Sequence, residues 1–146
     1  MVYGSPVSDE QANEALRLYS ETVLDHARSP RNLGPMERPD GHARITGPCG
    51  DTVEVFVRVV RERIAEASFL FDGCLTTMVS ASAAVELLTG RPVAQAVAIS
   101  REEILDALGG LPGPSEHCAL LAANAARAAI TDFISTRNEP WKRLYR

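Results

Sequence analysis

Three cysteines, one beside a histidine and another two residues from an aspartate, are the side chains of this chain best suited to chemistry. Cys49 and Asp51 share the turn Gly47-Pro48-Cys49-Gly50-Asp51, Cys74 follows Asp72-Gly73, and His117 precedes Cys118. Thiolate, imidazole and carboxylate are the side chains that zinc accepts, and a shell of three thiolates completed by one imidazole or carboxylate suits zinc or an iron–sulfur cluster. A lone buried cysteine is usually a small hydrophobe. A lone Asp51 reads as a turn residue and a lone His117 as a surface or capping one. Their joint placement points to one metal site, each packet lying at the edge of a predicted element and none inside a regular apolar stripe. No pair of cysteines is near enough in sequence to grip an ion locally, so folding must assemble the site. The ion it holds is then exposed and transferable.

The elements that must position these packets follow from periodicity. Ser8-Asp9-Glu10-Gln11 fits a capping box, and Ala12, Ala15, Leu16, Tyr19, Val23, Leu24 and Ala27 recur at helical spacing. They predict a first helix near 9–28, ended by Ser29-Pro30. Arg31 and Asn32, just beyond, leave two readings open: positioning the site or capping that helix. Residues 52–60 alternate, with Val53, Val55, Val57 and Val59 on one side. After the turn Arg61-Glu62-Arg63, the stripe Ala65, Ala67, Phe69 and Phe71 stands opposite Ile64, Glu66, Ser68 and Leu70. The two runs predict an antiparallel hairpin, with 42–46 as a third strand. Helical spacing returns over 76–89 and stops at Gly90 and Pro92, and 93–99 reads as a short helix. Ser100-Arg101-Glu102-Glu103 is a second capping box, opening a helix that Gly109-Gly110 closes. Leu111-Pro112-Gly113-Pro114 is not helical, and Ser115 is expected to cap a last helix over 116–135. Cys74 and Cys118 thus fall at helix amino termini, where free N–H groups and the dipole favour thiolate. Gly50 lets the chain turn sharply enough for Cys49 and Asp51 to face one spot.

Composition sets the frame. The 146 residues, 45% hydrophobic and 23% charged, suit one domain over 1–146, with a core of about 9–135 and a basic, aromatic tail at 136–146. A net charge of −4 and a pI near 5.4 argue against a general nucleic-acid binder. The apolar runs are too short for a membrane span, and the amino terminus carries no basic segment followed by an apolar one. The chain is therefore expected to be cytoplasmic, where three cysteines argue for metal or thiol chemistry over disulfides.

In their order, these packets resemble the scaffold family of iron–sulfur cluster assembly, IscU and the amino-terminal part of NifU. The likeness runs from Tyr19-Ser20-Glu21, through His26 and Ser29-Pro30-Arg31-Asn32, to about Phe133. Pro48-Cys49-Gly50-Asp51, Phe71-Asp72-Gly73-Cys74, and Leu111-Pro112 followed by His117-Cys118 carry it. The resemblance implies an α+β fold, a small and mostly antiparallel sheet of about three strands packed against several helices. It implies assembly of a transient 2Fe–2S cluster and its transfer to apo acceptor proteins. Cys49, Cys74 and Cys118 would be ligands, Asp51 an exchangeable ligand that keeps the cluster labile, and His117 an alternative ligand. A cysteine desulfurase would supply persulfide sulfur, with Cys118 receiving it, and the same pocket would hold zinc or iron when no cluster is present. A homo-oligomer is left open.

Two departures stand out. Gly113-Pro114-Ser115-Glu116 stands where typical IscU completes a Leu-Pro-Pro-Val-Lys segment read by a dedicated heat-shock chaperone. Only the first two residues are kept, which argues against that chaperone pair and removes a lysine partner for Asp51. Leu75-Thr76-Thr77, after Cys74, lacks the small Gly or Ser common there. The runner-up is a zinc-bound, SufU-like sulfur acceptor for a desulfurase. That branch has an insertion between the second and third cysteines and no histidine before the third, so His117 favours the scaffold. A purely structural zinc domain needs a closed four-ligand site, and a fifth ligand fits it poorly.

Overall fold

The computed structural model describes residues 19–141. Helix α1 spans Glu21–Arg28, strands β1, β2 and β3 span Gly41–Thr46, Thr52–Val60 and Arg63–Asp72, and α2 spans Leu75–Leu88. The short α3, Val93–Ala96, precedes α4, Arg101–Leu108; a 3-10 turn at Gly113–Ser115 then leads into α5, Glu116–Asn138. The sheet is three-stranded, antiparallel and ordered β1-β2-β3, as expected. Helices α2 and α5 pack against the sheet and each other, α1 lies on α2, and α4 contacts both α2 and α5. Val53, Val55, Val57, Phe69 and Phe71 line the covered face beneath Val79, Ala83, Ala122 and Ala126.

Four sequence expectations change. The first described helix begins only at Glu21: Ser20 is extended at ψ 163, and its hydroxyl accepts from Val23 N and donates to Leu108 O. An N-cap tied to the end of α4 thus sits where spacing alone ran the helix through. Its expected portion over 9–18, and the Ser8 box, lie outside the described residues, as does 142–146. In β3 a bulge intervenes, since Arg58 pairs with Glu66 but Val59 pairs with Ile64. Ala65 is the extra residue and faces solvent, while Ile64 enters the core; a bulge reverses the inside–outside alternation beyond it. Arg61 and Glu62 both take positive φ, 53° and 61°, which closes the hairpin as a two-residue primed turn. Ser115, finally, makes no side-chain cap, because the 3-10 turn runs directly into α5.

The Arg31 question is answered by contacts. Arg31 Nη1 donates to Ser29 O at the end of α1, and its guanidinium pairs with Asp25 and with Glu86 of α2. Its backbone N–H and the His26 ring meet on Ser82 Oγ, each at 2.7 Å. Arg31 therefore caps α1 and fastens it to α2. His26 is buried, and burial first, then the Arg31 charge, hold its pKa below 6.5 although Glu86 and Asp25 oppose this. The folded state thus binds fewer protons than the unfolded chain just below pH 6.5. Stability present above that pH falls as pH drops from there towards the lower folded value. Urea midpoints at about pH 8 and about pH 5, the window of histidine titration, are expected to show that loss, and His26→Gln is expected to flatten it. An equal slope in the variant overturns the assignment.

Candidate metal and cluster site

Each packet arrives on its own element. Residues 47–51 connect β1 to β2, held by Gly47 N donating to Asp51 O (2.8 Å) and Gly50 N to Gly47 O (3.0 Å). Gly50 sits at φ 90°. Cys74 is the N-cap residue of α2, following β3, and Cys118 is the third residue of α5. These junctions carry one oxygen of Asp51 and the sulfurs of Cys74 and Cys118 to within 4.8 Å of one another. Cys74 Sγ lies 3.5 Å from Asp51 Oδ2. A tetrahedral zinc with ordinary Zn–S and Zn–O bonds separates its sulfur and oxygen ligands by about 3.6 Å, so the donors already stand near ligating separation.

Cys49 stays apart from this trio. It is exposed on the turn and lines a cavity of about 180 Å³ with His117, Leu120, Leu121 and Asn124. Gly50 thus parts the two side chains it was expected to converge. His117 links the halves: its Nδ1 donates to Pro114 O (2.9 Å), which turns Nε2 towards Cys118 Sγ at 3.7 Å. A ring nitrogen fixed this way is the usual second-sphere arrangement of a histidine ligand.

Two residues that the spacing argument did not select complete the cluster. Thr76 Oγ1 bridges the sulfurs, 3.1 Å from Cys74 and 3.3 Å from Cys118. Thr77 Oγ1 donates to Asp51 Oδ2 at 2.5 Å and lies 3.5 Å from Cys74 Sγ and 3.6 Å from Cys118 Sγ. The one available signal was the departure at Leu75-Thr76-Thr77, which puts hydroxyls where smaller side chains are common. Gly73 is equally involved, since a Cβ there would stand 2.8 Å from Asp51 Cγ.

The electrostatics separate the two thiols. Asp51 is held below the usual carboxylate range, foremost by the Thr77 hydroxyl, against a burial penalty and with help from Cys74 and His117. Burial pushes Cys74 up, but hydrogen bonds from Thr76 and Thr77 outweigh it and bring the thiol below its ordinary value. Cys118, 1% exposed, is pushed up by burial first and by the charge of Cys74, with Thr76 and Thr77 offsetting only part. The groups form one hydrogen-bonded set: Cys74 S–H donates to Asp51 Oδ2, and Thr76 Oγ1 bridges Cys74 and Cys118. This ordered set of one exposed cysteine, one sheltered cysteine and one carboxylate can take up a thiophilic cation.

Comparison with known proteins shows the family of the chain. The profile of the NifU-like N terminal domain matches residues 18–140. The chain is 38% identical over 117 residues to the iron-sulfur cluster assembly scaffold protein IscU 1 of Archaeoglobus fulgidus, covering 80% of this chain and 76% of that one. It is 37% identical over 124 residues to the scaffold protein IscU of Escherichia coli K12, covering 82% and 96%. The N-terminal NifU-like protein of Brucella abortus has the same fold, with a TM-score of 0.62 at 17% identity over 81% of this chain and 95% of that one. With nearly every described residue inside the matched segment, and its cysteines at the junctions just described, the chain belongs to the NifU-like N-terminal domain family.

Proposed function

We propose that this protein is a scaffold on which a 2Fe–2S cluster is built from iron and persulfide sulfur and then passed to acceptor proteins. The observation that carries this reading is the convergence of Asp51, Cys74 and Cys118 from three separate elements onto one spot. The names of the IscU relatives support it. Cys74 and Cys118 are the proposed thiolate ligands and Asp51 the hard, exchangeable one. Cys49 and His117, sharing a cavity beside Cys118, are proposed to complete the shell, and zinc or iron is proposed to occupy the same ligands between clusters. Sulfur acceptance is an exchange: a scaffold thiolate attacks the outer sulfur of the persulfide and the desulfurase thiolate leaves. An external electron donor then supplies two electrons per sulfur to release it as sulfide to iron and restore the thiolate. Cys118 remains the proposed receiver, and its burial means that the first turn of α5 must open before sulfur reaches it. The segment ahead of it is already engaged, with Leu111 in the core and Gly113–Ser115 in a 3-10 turn, which supports release without a chaperone of the Leu-Pro-Pro-Val-Lys kind.

Anaerobic reconstitution with iron and sulfide tests the reading. A coloured protein with equal iron and acid-labile sulfide is expected. Zinc without labile sulfide, together with stimulation of a desulfurase, would move the assignment to the SufU-like sulfur acceptor. Oxygen in a thiolate shell is a mismatch for iron–sulfur ligation. Asp51→Ala is therefore expected to slow anaerobic decay of the cluster absorbance by about tenfold, the effect of roughly 1.4 kcal/mol on the barrier. An unchanged or shorter lifetime removes Asp51 from the release step.

A further inference from the structure

Thr77 is fully buried and its hydroxyl goes to a partner 26 residues away in sequence. A threonine in a helix ordinarily turns its hydroxyl back on the carbonyl three or four residues earlier. Here, in the first turn of α2, the proton goes to Asp51 Oδ2. A β-branched side chain in a helix has few rotamers, so the hydroxyl is held in place. On its other side the Asp51 carboxylate lies against Gly73, where a Cβ would come within 2.8 Å of both Cγ and Oδ2. The carboxylate is therefore gripped between a glycine that leaves room for it and a hydroxyl that bonds it.

We propose that Thr77 is a positioning residue: its hydrogen bond to Oδ2 pins the Asp51 carboxylate beside the Cys74–Cys118 pair, in place to donate to a bound cation. This rests on the metal-site reading above. Without the Thr77 hydroxyl, Asp51 keeps only its bonds to Cys74, so the oxygen donor is less firmly held while both sulfurs stay in place.

Titration of the metal-free full-length protein with Co²⁺, whose ligand-field and sulfur-to-cobalt bands report the shell, tests this. Thr77→Val, nearly isosteric, is expected to weaken Co²⁺ binding by about 10- to 100-fold, the usual cost of losing a residue that orients a ligand. Charge-transfer intensity per bound ion is expected to stay constant, because both sulfurs remain as ligands. Thr77→Ser is expected to restore binding, and in an Asp51→Ala background Thr77→Val is expected to cost several-fold less than it does alone, only its contacts with the sulfurs being left to lose. Should the valine variant not fold by circular dichroism, Thr77→Ala takes its place. Wild-type affinity in the variant, an equal loss on the Asp51→Ala background, or no rescue by serine each overturn the proposal. A parent protein without a sulfur-to-cobalt band overturns the site reading itself and this inference with it.

Discussion

Cys74→Ser is expected to fold as well as the parent and to bind zinc about 100-fold more weakly. The two halves of that expectation have separate causes. Cys74 occupies the N-cap of α2 in extended conformation, φ −85° and ψ 177°, without a side-chain cap bond. Serine is among the preferred residues at that position, so the helix start is kept or improved. The side chain is also exposed, and no core contact is lost. Ligation is another matter. Binding of about 10–16 kcal/mol shared among four ligands makes one thiolate worth roughly 3 kcal/mol, which is about two decades of affinity. Competition against a chromophoric zinc chelator, with a thermal melt of the same preparation, reads both. Parent affinity in the variant would remove Cys74 from the ligand set, whereas a lowered melting point would show that the cysteine serves the fold.

Gly41→Ala is expected to cost about 3 kcal/mol or more, the upper end of overpacking penalties. A Cβ on Gly41 would stand 2.3 Å from the backbone oxygen of Ala129, 2.8 Å from Phe133 Cβ and 3.0 Å from Val57 Cγ2. The first of these is main chain, so no rotamer change relieves it, and α5 must lift from β1. Urea unfolding with an unchanged slope and a lower midpoint is the expected signature. The damage reaches the site as well, because α5 carries Cys118 and His117. A variant that unfolds at the parent midpoint would mean that α5 is not seated on β1 as described.

How far the sequence foretold this molecule differs between local and tertiary effects. The valines of β2, the Ser100 cap and the Gly109 stop are local signals, and each appears in the structure where periodicity or capping chemistry places it. The N-cap at Ser20 was hidden because its hydroxyl is tied to the Leu108 carbonyl, 88 residues distant. The Ala65 bulge was hidden because a primed turn at Arg61-Glu62, without glycine or asparagine, gives no warning of a shifted register. At the site, residue type marked Asp51, Cys74 and Cys118, whose chemistry is rare enough to stand out. Thr76 and Thr77 are ordinary helix residues until folding turns them towards two sulfurs and a carboxylate. The parting of Cys49 from Asp51 depends on backbone angles at one glycine, which composition does not encode.

The three donors lie where β2 begins, where α2 begins and where α5 begins. Anything bound there ties three separate pieces of the chain to one another. At a hundredfold excess over its dissociation constant such a guest adds about 2.7 kcal/mol to the native state. Linkage runs both ways: a recipient that prises α5 from its seat loosens the hold on the guest by the same free energy, so delivery and a partial slackening of the carrier are one event.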